Sequence, residues 1–400
     1  MPDQTPPAMK QAFETRLSHA GRAGTKAQGF VNPPVYRGST MLYPNCEARN
    51  RESVKTVDRT FSYGTHGGPT HHALEDVIAE IEGGTRCQIV STGLAAVTTP
   101  LLAFLGAGDH CLVPDSVYGP ARSFCTGMLT RLGVTTTFYD PALDGAGIAA
   151  LMQPNTKVLY TESPGSHTFE VQDIPAIAAA AHARGIKVML DNTWGIHFFQ
   201  PFQHGVDVSI QALTKYVAGH SDVLLGSVTT ASDADWARVR EAALALGQYA
   251  SPDDCWLALR GVRTMGVRLV RQMASGLEVA AWFATRPEVA RVLHPGLPGA
   301  PGHALWKRDF SGACSLFGVA FQPHITLAAV EAMIDRLALF GIGSSWGGFE
   351  SLAVATTNHI TRTPVAGAFA GPAMRIHIGL EDPADLIADL TQGLEALQHG

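Results

Sequence analysis

None of the six cysteines, at 46, 87, 111, 125, 255 and 314, forms a C-x-x-C pair. Scattered cysteines exclude a disulfide framework or a zinc ribbon and suit a reducing compartment. There is no basic excess either: 29 Lys and Arg against 35 Asp and Glu give a formal net charge of −6. Without a basic block to track phosphates, no nucleic-acid partner is expected. Charged residues make up only 16% and apolar residues 46%, which excludes a disordered chain. No apolar run approaches the roughly 18–20 residues of a membrane span, so no membrane partner is expected. The first residues, Met-Pro-Asp-Gln-Thr-Pro-Pro, lack an apolar signal region, and a cytoplasmic location is expected. G-x-S-x-G, Walker and H-E-x-x-H patterns are missing. His71-His72 with Glu75 has metal-like spacing without a third ligand, so a solvated helix face is expected there, with no metal site.

What is present is alternation. The 400 residues suffice for two or three domains. Residues 1–62 are turn-rich and read as an N-terminal arm with a short helix near Ala8–Ala20. Residues 70–82 place apolar side chains at 73, 74, 77, 78 and 81, a helical spacing stopped by Gly83-Gly84. Apolar runs then alternate with helical windows. The runs are Cys87–Val90, Cys111–Val113, Thr135–Tyr139, Lys157–Thr161, Lys187–Leu190, Val208–Gln211 and Val223–Val228. Continuous apolar strands separated by helices imply parallel pairing with both faces covered, a doubly wound α/β domain over 63–260. Beyond it, helices are expected at Pro252–Met265 and Gly266–Ala284. Strands at Ser315–Phe321 and Met374–Ile378 and a last helix over Pro383–Gln398 give a smaller α+β domain, 261–400.

Ligands of such sheets gather at the carboxyl ends of the strands. The apolar run from Val208 leads into Thr214 and Lys215. A partly desolvated lysine there becomes nucleophilic and can form a Schiff base with a carbonyl cofactor, or it can simply reach solvent. One strand earlier, Val188-Met-Leu ends in Asp191, a turn cap or an anionic partner for a cofactor cation. Ser91-Thr92-Gly93-Leu94 follows another strand and opens a helix, whose free N–H groups can hold an anion. Tyr118 follows a third strand, where an aromatic ring can stack on a flat ligand or be ordinarily buried. Arg375 heads an apolar strand in the C-terminal part, as a carboxylate clamp or a partner of Glu381 or Asp382.

Five segments resemble one family. They are Glu162-Ser-Pro-Gly, Asp191-Asn-Thr-Trp194, Thr214-Lys215-Tyr-x-x-Gly-His-Ser-Asp222, Ser345-Trp346-Gly-Gly-Phe-Glu-Ser351 and Arg375-Ile-His-Ile-Gly-Leu-Glu-Asp382. The chain is similar, from about residue 20 to 398, to the pyridoxal 5'-phosphate (PLP) dependent enzymes of cysteine and methionine metabolism, the trans-sulfuration enzymes. The resemblance implies the aspartate aminotransferase-like fold, PLP-dependent transferase fold type I. It also implies a small amino-acid substrate and a homotetramer built from dimers that share active sites. It implies that Lys215 binds the cofactor and moves the substrate's α-proton. Asp191 would pair with the ring nitrogen and Tyr118 stack on the ring. Gly93, Leu94 and Thr214 would hold the phosphate. Arg375 would clamp the substrate carboxylate beside Ser345, and Tyr63 would reach the neighbouring subunit's site.

Within the family, Trp346 resembles the subgroup of carbon–sulfur β-lyases that act on cystathionine, in methionine biosynthesis. The γ-synthases, the γ-lyases and methionine γ-lyase are the alternative, and a non-catalytic regulator with this fold is the alternative from another class. Two positions depart from the family pattern. Thr65 stands where the family carries the arginine of Tyr-x-Arg, and Ser344 replaces an aromatic found in some β-lyases.

Overall fold

The structure is a computed structural model that describes residues 11–22, 29–52, 59–364 and 369–398. Seven strands form the larger sheet: β1 (Arg86–Val90), β2 (His110–Pro114), β3 (Thr135–Tyr139), β4 (Thr156–Glu162), β5 (Lys187–Asp191), β6 (Val208–Gln211) and β7 (Gly226–Thr230). Their order is β1-β7-β6-β5-β4-β2-β3. The strands β3, β2, β4, β5 and β6 pair in parallel. β7 runs antiparallel to both β6 and β1, so the sheet is mostly, not wholly, parallel. The cause is the connection at 212–225, which contains no helix. Thr214 N–H donates to Leu225 O at 3.3 Å and Leu225 N–H to Thr214 Oγ1 at 3.0 Å, so the chain folds straight back beside β6.

Each face of this sheet is covered, as parallel strands require. On one face Tyr160, Met189, Val208 and Ile210 pack with Val97 and Leu101 of the helix Gly93–Phe104. On the other, Leu159, Val188 and Leu190 pack with Leu74, Val77 and Ile78 of the helix Pro69–Glu82. That helix ends at Gly83 in the left-handed conformation, φ 74°, where a side chain would be strained. Its His71 is buried, contrary to the solvated face expected from sequence. One ring nitrogen donates to Ala250 O at 2.8 Å, and the other accepts from Gly68 N–H at 3.1 Å. Among the described residues no cluster of His, Cys, Asp or Glu could hold a metal ion, and no helix is long and apolar enough to cross a membrane.

The segment Pro252–Phe283 is one helix of 32 residues rather than two. Gly266 does not break it, and the expected boundary at 260 lies inside it. Buried apolar residues recur on one side from Cys255 through Phe283, so packing outweighs the glycine's weak propensity. Its far end packs on a four-stranded antiparallel sheet of order β10-β11-β9-β8. These strands are β8 (Val289–Leu293), β9 (Leu316–Phe321), β10 (Leu352–Ala355) and β11 (Ala373–His377).

Candidate active site

The carboxyl ends of β4, β5 and β6 and the amino end of the helix Gly93–Phe104 meet the loop 344–348 and β11 of the smaller sheet. Lys215 lies just past β6. Its Nζ donates to Ser345 Oγ at 2.5 Å and stands 5.3 Å from the centre of the Trp346 ring. Burial, then the Arg375 charge, lower its amine to about 8, against the opposing pull of Asp191. An amine with a lowered pKa is deprotonated often enough at neutral pH to attack a carbonyl.

The loop 344–348 is built onto Lys215. Gly347 has φ 85°, and a Cβ there would stand 2.8 Å from Tyr216 N and 3.0 Å from Lys215 Cα. Only glycine permits both the conformation and the approach. Gln272 Nε2 donates to Gly348 O at 2.7 Å, and Gly347 N–H donates to His377 Nε2 at 3.2 Å. Ser345 itself takes φ 79°, a strained backbone for a serine. This turn aims its hydroxyl at Lys215 while its carbonyl accepts from Arg375 Nη2 at 3.0 Å.

Arg375 forms no ion pair among the described residues. The two acids expected as its surface partners are engaged elsewhere: Glu381 accepts from Ser351 N–H and Oγ at 2.7 and 2.9 Å, and Asp382 caps the last helix through Ala384 N–H. Burial lowers the guanidinium to about 10. A desolvated cation without an acid partner is a receptor for a ligand carboxylate.

Asp191 ends β5, opposite Glu162 of β4. Its Oδ1 accepts Thr193 N–H at 3.0 Å; burial raises its pKa, and the Lys215 charge opposes the rise. The Tyr118 phenol is raised by burial, then by Asp191 and Glu162, while Arg375 lowers it, so the ring lies among these charges. Thr92 caps the helix Gly93–Phe104 by accepting Ala95 N–H at 3.0 Å. The N–H groups of Gly93 and Leu94 make no hydrogen bond among the described residues. A Cβ on Gly93 would stand 2.6 Å from Ala212 Cβ, so the bare helix end is pressed against the segment leading to Thr214. Two free N–H groups at a helix start fit a phosphate group, while the Thr214 hydroxyl here donates to Leu225 O at 3.2 Å. With Asp191 for a cationic nitrogen, Lys215 for an aldehyde and Tyr118 for a ring face, the residues present fit pyridoxal phosphate.

Tyr63 is not brought to this site within the chain. It is half exposed and lines an open cavity of about 290 Å³ with Arg37, Ser39, Thr65 and Tyr249. Its turn is fixed from behind: Thr40 and Tyr63 form an isolated bridge, Gly64 N–H donates to Ser39 O at 2.7 Å, and Arg240 holds His66 O. Ser344 and Thr65 are exposed. Glu162, without an assigned role from the sequence, accepts Tyr118 N–H at 2.7 Å. The available signal was a second acid ending a core strand, one strand before Asp191.

The family profile described as Cys/Met metabolism PLP-dependent enzyme matches residues 14–395. A putative cystathionine beta-lyase of Rhizobium johnstonii is 49% identical over 401 residues, 99% of each chain. The cystathionine beta-lyase MetC of Escherichia coli is 42% identical over 95% of this chain and 98% of its own. Among solved structures, metB from Corynebacterium glutamicum superposes with a TM-score of 0.89 at 29% identity, covering 97% of this chain and 99% of that one.

Proposed function

The chain belongs to the Cys/Met metabolism PLP-dependent enzymes, whose cofactor is pyridoxal 5'-phosphate, and on that premise we propose that it is a carbon–sulfur β-lyase acting on L-cystathionine. The products are homocysteine, pyruvate and ammonia. The observation that carries this reading is the pairing of a depressed lysine amine with an arginine that has no acid partner among the described residues, across Ser345 and under the Trp346 ring. That pairing suits an α-amino acid whose carboxylate is clamped while its α-proton is taken. Relatives 42–49% identical over nearly the whole chain and named for cystathionine β-lyase activity support the substrate.

The residues divide the work. Gly93 and Leu94 N–H groups and the Thr214 hydroxyl hold the cofactor's phosphate, Asp191 its ring nitrogen and Tyr118 its ring face. When bound, the cofactor supplies an electron-poor ring that accepts the electron pair left at the α-carbon. Lys215 would hold the cofactor's aldehyde carbon, and its neutral amine takes the substrate's α-proton. Its low pKa makes it a base near neutral pH. Arg375 binds the α-carboxylate and, after burial, its charge is the second cause that lowers the Lys215 amine. The Ser345 hydroxyl steadies the amine through their hydrogen bond, and Trp346 walls the site beside it. Tyr63, presented at the surface on a rigid turn, serves the site of a neighbouring subunit in a homo-oligomer.

The test is product identity. Purified protein given cystathionine, cystine or methionine should form pyruvate from the first two. Formation of 2-oxobutanoate instead assigns a γ-lyase, and no keto acid from any of the three removes the enzyme reading. Lys215→Ala should lower pyruvate formation at least about a thousandfold, since both attachment and proton transfer are lost.

A further inference from the structure

Glu162 and Asp191 end adjacent parallel strands as direct register partners, so their side chains leave the sheet on the same face. Two carboxyl groups so placed do not both ionise readily, and their protons belong to the pair. Their surroundings are unequal. Asp191 feels the Lys215 charge and accepts Thr193 N–H at 3.0 Å. Glu162 touches no cation among the described residues. Its Oε2 accepts Tyr118 N–H at 2.7 Å, and its Oε1 lies 2.5 Å from Ser166 Oγ. The other ionisable groups around the pair are the Tyr118 and Tyr160 phenols, Lys215 and, beyond Tyr118, Arg375.

We propose that Glu162 is a positioning residue: it carries the pair's shared proton, leaves Asp191 ionised for the cofactor's ring nitrogen, and pins the Tyr118 backbone. Ser166 O–H donates to Glu162 Oε1 here; on protonation of that oxygen the two hydroxyls exchange roles, while Oε2 still accepts Tyr118 N–H. The same loop is held from the other side, where Arg122 N–H donates to Tyr118 O at 3.0 Å and Ser166 N–H donates to Ser116 O at 2.8 Å. Burial, then the Asp191 charge, raise Glu162 to about 8 against the opposing Ser166 and Tyr118 hydrogen bonds, in keeping with a protonated acid at neutral pH. One side chain thus sets both the charge at the ring nitrogen and the place of the stacking ring.

This inference rests on the assignment of Asp191 to the ring nitrogen, and its readouts do not depend on turnover. Glu162→Gln keeps the shape and neutrality of the protonated acid; Glu162→Ala removes the acceptor for Tyr118 N–H. Two quantities are measured: pyridoxal phosphate affinity of the cofactor-free protein, and the pH midpoint of the absorbance of the cofactor joined to Lys215. Far-UV circular dichroism checks the fold. The expected result is an unchanged midpoint in Glu162→Gln and an affinity about tenfold weaker in Glu162→Ala. A midpoint moved by about one unit in Glu162→Gln, as loss of a nearby charge would give, overturns the proton assignment. Wild-type affinity in Glu162→Ala overturns the positioning role. Full cofactor binding without keto acid from cystathionine would defeat the lyase reading and leave this one standing.

Discussion

At the scale of residues, Lys215 combines two demands that oppose each other. It must sit among apolar atoms to lose its proton, yet close enough to Asp191 to feel its charge. Burial and Arg375 win, and the amine falls to about 8. Cofactor-free protein should therefore react with an amine-acylating reagent at Lys215 with a midpoint near that value. Arg375→Leu should move the midpoint upward, because the second cause of the depression is gone, and should weaken amino-acid binding roughly a hundredfold. A lysine lowered from 10.5 to about 8 binds fewer protons in the folded than in the unfolded protein between those values. Stability of the cofactor-free protein should then rise with pH across that window, and Lys215→Met should flatten the rise in urea unfolding. Lys215 and Asp191 were legible in the sequence because a charge at the end of an apolar strand is conspicuous. The Ser345 hydroxyl was not legible as a contact of Lys215, because 130 residues separate them and a left-handed turn sets its direction.

At the scale of elements, the long helix separates two kinds of glycine. A Cβ on Gly266 would meet nothing nearer than 3.5 Å, whereas one on Gly261 would strike the carbonyls of Val217 and Ala218, just past Lys215. Gly266→Ala should stabilise by about 0.5–1 kcal/mol through helix propensity alone. Gly261→Ala should lower the melting temperature and loosen cofactor binding, since the helix must shift from the segment carrying Lys215. Thermal melts with and without pyridoxal phosphate distinguish the two. The parallel strands were legible because each is a continuous apolar run. β8 and β10 escaped notice as partly exposed edge strands: Arg291 interrupts the apolar run of β8, and β10 is only four residues long. The helix His303–Asp309 buries none of its residues and so left no periodic trace. β7's reversal depends on hydrogen bonds around Thr214 that no composition reveals.

At the scale of the whole molecule, the site stands where two sheets meet, and the helix Pro252–Phe283 is the rod that holds them in register. Tyr63 lies apart from it, on a braced and solvent-exposed turn. If that turn serves a neighbour, subunits defective in different parts should repair one another. Co-expression of Lys215→Ala with Tyr63→Phe chains should form mixed oligomers that recover up to about a quarter of the activity by random assortment in dimers. No recovery would keep Tyr63 out of the neighbour's site. Thr65 shares the same exposed turn, and restoring an arginine by Thr65→Arg should tighten pyridoxal phosphate binding in the oligomer, measured by equilibrium dialysis.

The amine beneath Trp346 is the proposed anchor of the cofactor. Borohydride reduction of the loaded protein, followed by mass spectrometry of its peptides, reads this directly. A single pyridoxyl adduct is expected, on Lys215. An adduct on another lysine such as Lys187 or Lys307, or none at all, would contradict it.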